Sequence, residues 1–231
     1  MRNKIGHSIL YKNIDVESAT LKEIGFDFVE LHISLNDEFK DEIKSALPIL
    51  SLHLPEIDFK REEMEKCKEF IETFPCKLFI IHLFSRNLPT EKYLGKKIGI
   101  LKELTSYAQE DDRILALENT EEEAKILKKV FDSIPDLSFC LDIGHANLFT
   151  NSIDLINEFS EILTHIHVHD NVGGDSEKFD LHLPIGAGAI NFEPIFTRLK
   201  EINYSGNFTL EIYNDDKEYR RISLERVRTM L

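Results

Sequence analysis

No CxxC pair occurs in this chain, and its three cysteines, Cys67, Cys76 and Cys140, are odd in number. A disulfide framework or a thiolate zinc site needs paired, regularly spaced cysteines, so neither is expected. Reduced, partly buried thiols in a cytoplasmic protein are the expectation instead. No apolar run approaches the ~18–20 residues that a membrane-spanning helix needs. The opening "MRNKIGHSILYKN" lacks the apolar core and small-residue cleavage site of a secretory leader. No Pro/Gly/Ser-rich linker, low-complexity tract or repeat divides the chain. Basic residues are the minority: 28 Lys and Arg against 42 Asp and Glu leave a formal charge of −14. Phosphate backbones are held by Lys and Arg, so non-specific polyanion binding is not expected as a main role.

What is present is an alternation. Eight runs rich in Ile, Val, Leu or Phe recur, at 4–10, 26–33, 49–54, 77–84, 113–119, 137–143, 165–170 and 207–213. Each has the character of a strand covered by helices. Between them lie segments with helical spacing. In "REEMEKCKEFIETF" the residues Met64, Cys67, Phe70, Ile71 and Phe74 form one stripe, and in "EEEAKILKKVFDSI" Ala124, Leu127, Val130, Phe131 and Ile134 form another. The acidic start of the second suits a helix dipole. "LINEFSEIL", "FEPIFTRLKEI" and "KEYRRISLERVRTML" supply further helices. At 231 residues, eight strand–helix units predict an α/β fold, a single-domain (β/α)₈ TIM barrel over 1–231. A doubly wound open sheet is the competing architecture.

Chemistry collects at the ends of these strands. His53 closes the third ("SLHLP") and His82 the fourth ("IIHLF"). Glu118 ends the fifth ("LENT"), Asp142 the sixth ("LDIGH") with His145 three residues on, and Glu211 the eighth ("TLEIY"). The seventh reads "HIHVHD", where alternation puts His165, His167 and His169 on one face. Asp180 and His182 follow in "DLH". In a parallel barrel these ends share one rim. Any one of these residues alone reads as an ordinary core or surface group. Nine of them together, His165 and His169 left aside, are costly without a cation, because desolvated carboxylates repel and raise one another's pKa. Imidazole with carboxylate is a ligand set for zinc, manganese or iron, so a divalent metal is expected.

The stretches "SLHLP", "IIHLF", "LENT", "LDIGHANL", "HIHVHDN", "DLHLPIGAGAINF" and "TLEIYN" resemble, in order and spacing, the xylose isomerase-like barrel superfamily. That superfamily includes sugar isomerases, sugar epimerases and the endonuclease IV class of abasic-site nucleases. Its "HxxD" pattern, matched by "HVHD", implies His167 as a metal ligand with Asp170 as its follower. His165 is then expected in a structural role and His169 as a supporting or substrate-facing neighbour. Resemblance to the epimerases implies a mononuclear site of Glu118, Asp142, His167 and Glu211. There Glu118 and Glu211 exchange a proton with the carbon of a sugar or sugar phosphate.

Resemblance to the nucleases implies additional ligands, His53, His82, His145, Asp180 and His182, and as many as three zinc ions. DNA is a partner only under that reading. The acidic charge and a near-minimal barrel favour the small-molecule reading, as does "IIHLFSRN", which departs from the glycine-containing nuclease segment. A metal-bound barrel without catalysis is the third possibility. "PIGAGAI" (184–190) lacks the Lys and spacing of a phosphate-binding loop and is expected to shape the site. Glu30 in "FVELHI" is placed either at the mouth, beside substrate or ligands, or as a buried structural acid.

Overall fold

A computed structural model describes residues 3–37, 43–58, 60–83 and 91–231, without the side chains at 91–93 and 177. Eight strands close a parallel barrel in sequence order: β1 (Ile5–Leu10), β2 (Phe28–His32), β3 (Ile49–His53), β4 (Leu78–His82), β5 (Ile114–Glu118), β6 (Ser138–Asp142), β7 (Leu163–Val168) and β8 (Asn207–Leu210). The helices are α1 (Ile14–Ile24), α2 (Arg61–Thr73), α3 (Glu91–Glu110), α4 (Ala124–Ser133), α5 (Ile143–Phe149), α6 (Ser152–Phe159), α7 (Phe192–Glu201) and α8 (Lys217–Met230). The strand–helix alternation departs from regularity twice. Among the described residues no helix joins β2 to β3, and two helices, α5 and α6, join β6 to β7.

Period-two alternation divides each strand between two cores. Ile9, Leu31, Leu52, Phe79, Ile81, Leu117, Leu141, Ile166 and Phe208 face outward into a large apolar layer beneath the helices. The inward residues form levels. At the N-terminal end Phe28 plugs the barrel; a Cβ on Gly6 would sit 2.4 Å from its ring, so only glycine leaves it room. The middle level is split. Ile80, Ala116 and Cys140 make an apolar half, whereas Glu30, Ser51, His165 and Thr209, all buried, make a polar one. The top level carries the strand-end chemistry, and register pairs it across neighbours: His32 with His53, His82 with Glu118, and Asp142 with His167.

Two local expectations change. "EEE" does not begin a helix: α4 starts at Ala124 with no acid in its first turn. Glu122 instead folds back to accept from the Thr120 backbone N–H at 2.7 Å, a local bond that competes with helix formation. The seventh strand ends at Val168, so His169 and Asp170 lie beyond it. "FSRN", at 84–87, falls outside the described residues.

His7 points outward from β1 into the helical layer. It is buried, its Nδ1 meets the Ser8 carbonyl at 2.7 Å, and its Nε2 has no hydrogen-bond partner. Burial, aided by the Arg220 guanidinium, pushes its pKa down to about 3. Below the unfolded value of 6.5 the unfolded chain binds a proton that the native one refuses, so this group costs stability as pH falls from 6.5 toward 3. His7→Gln should remove about 1.4 kcal/mol per pH unit of that acid slope. Urea denaturation of both proteins between pH 4 and 7 measures it; parallel slopes refute it.

Candidate metal centre

The spacing of the strand-end motifs has local causes. Asp142 caps α5, its Oδ1 accepting from the His145 backbone N–H at 2.6 Å. That is why Asp and His stand three apart: the helix start needs an acceptor there, and its first turn swings the imidazole back over the barrel. Asn119 locks β5 to β6 by accepting from the Asp142 N–H at 2.8 Å and donating to the Asp142 carbonyl at 3.0 Å. A Cβ on Gly144 would lie 2.0 Å from the His169 ring, so "LDIGH" requires its glycine for close packing.

Three histidines are held from behind. His53 Nδ1 meets the Leu54 carbonyl at 3.0 Å, His145 Nδ1 the Asn119 carbonyl at 3.1 Å, and His182 Nδ1 the Glu211 carbonyl at 2.8 Å. With the proton on Nδ1, each Nε2 turns its lone pair toward the carboxylates. His53 Nε2 lies 3.1 Å from Glu118 Oε2, and the Nε2 atoms of His145 and His182 lie 3.2 and 3.3 Å from Asp180 Oδ2. A backbone carbonyl fixing the tautomer of an imidazole is the usual support of a metal ligand. His182 also holds a φ of +44°, the left-handed region that a non-glycine residue avoids.

The structure brings all nine strand-end and loop residues together. Glu118, Asp142, His167 and Glu211 can each direct one atom into a common space with all four side chains buried. His167 Nδ1 stands 3.0 Å from Glu118 Oε2, 3.6 Å from Glu211 Oε1 and 3.9 Å from Asp142 Oδ2. Ligand bonds of about 2.0 Å at tetrahedral angles put ligand atoms roughly 3.3 Å apart, so these spacings suit a small cation. His53, His82 and Glu118 converge beside them, with the two imidazole Nε2 atoms 3.2 Å apart. His145, Asp180 and His182 converge on the other side.

His169 is near this last group, but its ring is parallel to that of His182, 3.8 Å away and tilted by 15°. Two stacked rings cannot both aim an in-plane lone pair at one ion. His169 therefore backs His182 and reaches Asp142 Oδ1 at 3.1 Å. Buried polar atoms without a hydrogen-bond partner cluster here: Glu118 Oε1, Asp142 Oδ2, His167 Nδ1 and Asp180 Oδ1 among them. Orphaned acceptors of this kind, in an imidazole–carboxylate set, fit a divalent cation.

Glu30, Asp170 and His165 lie off the mouth. Glu30 sits beneath it, fully buried, with Oε1 2.9 Å from His167 Nε2. His165 shares that level with it, 2.8 Å from the Thr209 hydroxyl. Asp170 faces neither substrate space nor ligands. Its Oδ2 accepts from the backbone N–H groups of Gly186 and Gly188 at 2.8 and 2.9 Å, and its Oδ1 from those of Asn171 and Ile190 at 2.9 and 3.2 Å. The glycine loop is thus an anion nest filled by the protein's own carboxylate. The Asp170 backbone also pairs with Leu183 in both directions, which places Asp180 and His182 against β7.

His32 and Tyr213 complete the mouth and escaped the sequence reading. His32 closes β2 as His53 closes β3, a signal present but not taken; its Nε2 is 2.9 Å from Glu211 Oε1 and its ring stacks on His53. Tyr213 stacks on the outer face of His182 at 3.9 Å, and nothing in a lone Tyr of a loop announces that. The cavity above the carboxylates holds about 590 Å³ and is walled by Tyr11, Leu54, Phe149 and Tyr213.

Burial opposes charge on Glu118, Glu211, His145 and His167. It is overcome at Glu118, held well below the usual carboxylate range by His167, His82 and His145, and at Glu211 by His167 and His32. The converse holds for His145, raised well above 6.5 despite burial by Asp142, Asp180 and Glu118, and for His167, raised by Glu211, Glu118 and Glu30.

The chain belongs to the xylose isomerase-like TIM barrel family, whose model matches residues 18–230. Two uncharacterized proteins of Methanocaldococcus jannaschii are similar in sequence. MJ1311 is 34% identical over 134 residues, covering 52% of this chain and 44% of that one. MJ1614 is 31% identical over 156 residues, covering 64% and 58%. The matched region therefore spans about half the length of these relatives.

Among solved structures, D-allulose 3-epimerase from Methylomonas sp. superposes with a TM-score of 0.80 at 15% identity, covering 100% of this chain and 98% of that one. A D-tagatose 3-epimerase-like protein does so at 0.74 with 24% identity, covering 97% and 99%. At such identities the likeness is one of fold. No helix among the described residues is long and apolar enough to cross a membrane.

Two outcomes follow from this geometry. The raised His145 and His167 contribute stability to the cation-free protein below pH 6.5 and lose it as pH climbs through their folded values. A cation must displace those protons, so its affinity should rise with pH over the same range. Calorimetric titration with Zn²⁺ near pH 7, in buffers of different ionisation enthalpy, should register proton release; buffer-independent heats would contradict it. Asp170→Asn offers the four N–H groups one acceptor oxygen instead of two. It should cost on the order of 3 kcal/mol by chemical denaturation, and a loss under about 1 kcal/mol would show the nest is not held this way.

Proposed function

We propose that the protein is a divalent-metal-dependent sugar isomerase or epimerase that moves a proton at the carbon beside a carbonyl. One observation carries this: four buried residues, Glu118, Asp142, His167 and Glu211, can direct ligand atoms into one space, and two of them, Glu118 and Glu211, line a partly apolar cavity of about 590 Å³, the size class of a small-molecule site. A bound cation would polarise the substrate's carbonyl and hydroxyl oxygens and so acidify the intervening C–H.

The chain's own residues do the rest. Glu211 is tethered through Oε1 to His32, which leaves Oε2 as the better placed base. Glu118, from β5, returns a proton on the other face. Both are ionised in the cation-free protein; Glu211 takes the proton as the base, and for an epimerisation Glu118 must first take up a proton from solvent, which it then hands to the other face of the carbon.

A second reading, zinc-dependent cleavage of abasic-site DNA, is favoured by the five further residues His53, His82, His145, Asp180 and His182 gathered around the same four. Charge decides against it. Among the described residues lining the mouth Lys12 is the one cation, and Asp37, Glu56 and Glu121 stand with it, a poor surface for a phosphate backbone.

With a ketose or sugar phosphate in D₂O, the protein should label the carbon next to the carbonyl. Glu118→Gln and Glu211→Gln should each slow that exchange by about 10²-fold or more, since an amide is no base. Metal content should be one ion per chain. Three zinc ions with incision of an abasic duplex and no exchange would reverse the choice. Metal retention without turnover on either would leave a binding protein.

A further inference from the structure

We propose that Glu30 is a positioning residue: it keeps the His167 proton on Nε2 and thereby makes Nδ1 the atom that meets the cation. The inference rests on the reading of Glu118, Asp142, His167 and Glu211 as a metal set, and it concerns how that set is aimed.

Glu30 lies on β2 with its carboxylate fully buried. Its Oε2 is committed: the Ser51 hydroxyl donates to it at 2.5 Å and the Thr209 hydroxyl at 3.3 Å, with His165 Nε2 at 3.2 Å. Its Oε1 has His167 within hydrogen-bond distance and His32 Nε2 farther off, at 3.7 Å. That oxygen and His167 Nε2 are both buried, both lack any hydrogen-bond partner in good alignment, and lie 2.9 Å from each other. With Glu30 kept ionised, against burial, by the imidazoles of His167 and His165, a proton on Nε2 is what serves both atoms, because buried polar groups left unpaired are costly.

Once Nε2 carries the proton, Nδ1 has the lone pair. Nδ1 is also the nitrogen facing Glu118, Glu211 and Asp142. A carboxylate behind a ligating imidazole fixes its tautomer and strengthens it as a donor.

Stability does not explain this residue. Among the described residues the charged or titratable side chains within ion-pair distance of Glu30 are the imidazoles of His32, His165 and His167, with no Lys or Arg. A carboxylate buried without a permanent cation is expensive. The opposite half of the same level is filled by Ile80, Ala116 and Cys140, so the barrel closes there with apolar or small side chains. Ser51 and Thr209 add donors on the Glu30 side that an apolar residue at position 30 would strand. The polar half-level is a support built under one ligand.

The test uses the full chain labelled with ¹⁵N-histidine. Zn²⁺ should shift Nδ1 of His167 while Nε2 keeps its proton. A zinc shift at Nε2 overturns the proposal, and this reading needs no variant. Glu30→Gln presents a single acceptor oxygen, which cannot serve both His167 and the Ser51 side. Zn²⁺ affinity should fall by about 10–100-fold, while Thr209→Val, which touches only the Oε2 side, should lose less. Wild-type affinity in a folded Glu30→Gln protein overturns the proposal. Failure of the wild-type protein to bind any divalent ion would sink the metal reading itself, a different result from either.

Discussion

Mutual repulsion among carboxylates is the constraint on which this structure turns. Glu30, Glu118, Asp142, Asp180 and Glu211 are brought to one end of a barrel whose walls are apolar, and four of them are essentially out of water. Such a group is stable only if something positive stands among them. Protonated imidazoles serve in part, as the raised His145 and His167 record. A divalent cation would serve better, with more charge in less space. The parallel barrel makes the crowding unavoidable, because every strand delivers its last inward residue to the same rim.

The rim is precise because its supports are mostly backbone. His53, His145 and His182 are each oriented through a main-chain carbonyl, and Asp142 by the N-terminus it caps. The Asp180–His182 segment is held by Asp170 in its nest of N–H groups. Main-chain groups move little once strands and helices are packed, so a ligand aimed by one inherits the rigidity of the fold. His167 differs. It stands within β7, paired on one side with β6 and on the other with β8, and its Nε2 faces a side chain, Glu30.

Proximity and coordination also part company at the rim. His169 lies close enough to His145, Asp180 and His182 to count as a fourth partner by distance. The stacking of its ring on His182 keeps the two imidazoles from sharing one ion. The same stacking extends to Tyr213, so three parallel rings brace the loop side of the mouth. Bracing of this sort leaves the coordination number of the site to carboxylates and to imidazoles that meet edge-on.

The sequence by itself determined the eight strands, their order, and the strand-end residues, because alternation and strand-end position are local properties written in spacing of two and three residues. "SLHLP", "IIHLF", "LENT" and "LDIGH" declare their place in this way, and the family resemblance tied them together. Only the tertiary structure decided what those residues do to one another. It placed Asp170 in a glycine nest 16–20 residues away rather than beside the ligand it follows. It put Glu30 under His167 across an interval of 137 positions, and it stacked His32 on His53 and Tyr213 on His182. It also set "EEE" ahead of α4 instead of within it. Those outcomes depend on the register between strands and the aim of side chains across the barrel, which no local pattern encodes: spacing along a chain says which face a residue takes, and barrel closure alone says what stands opposite.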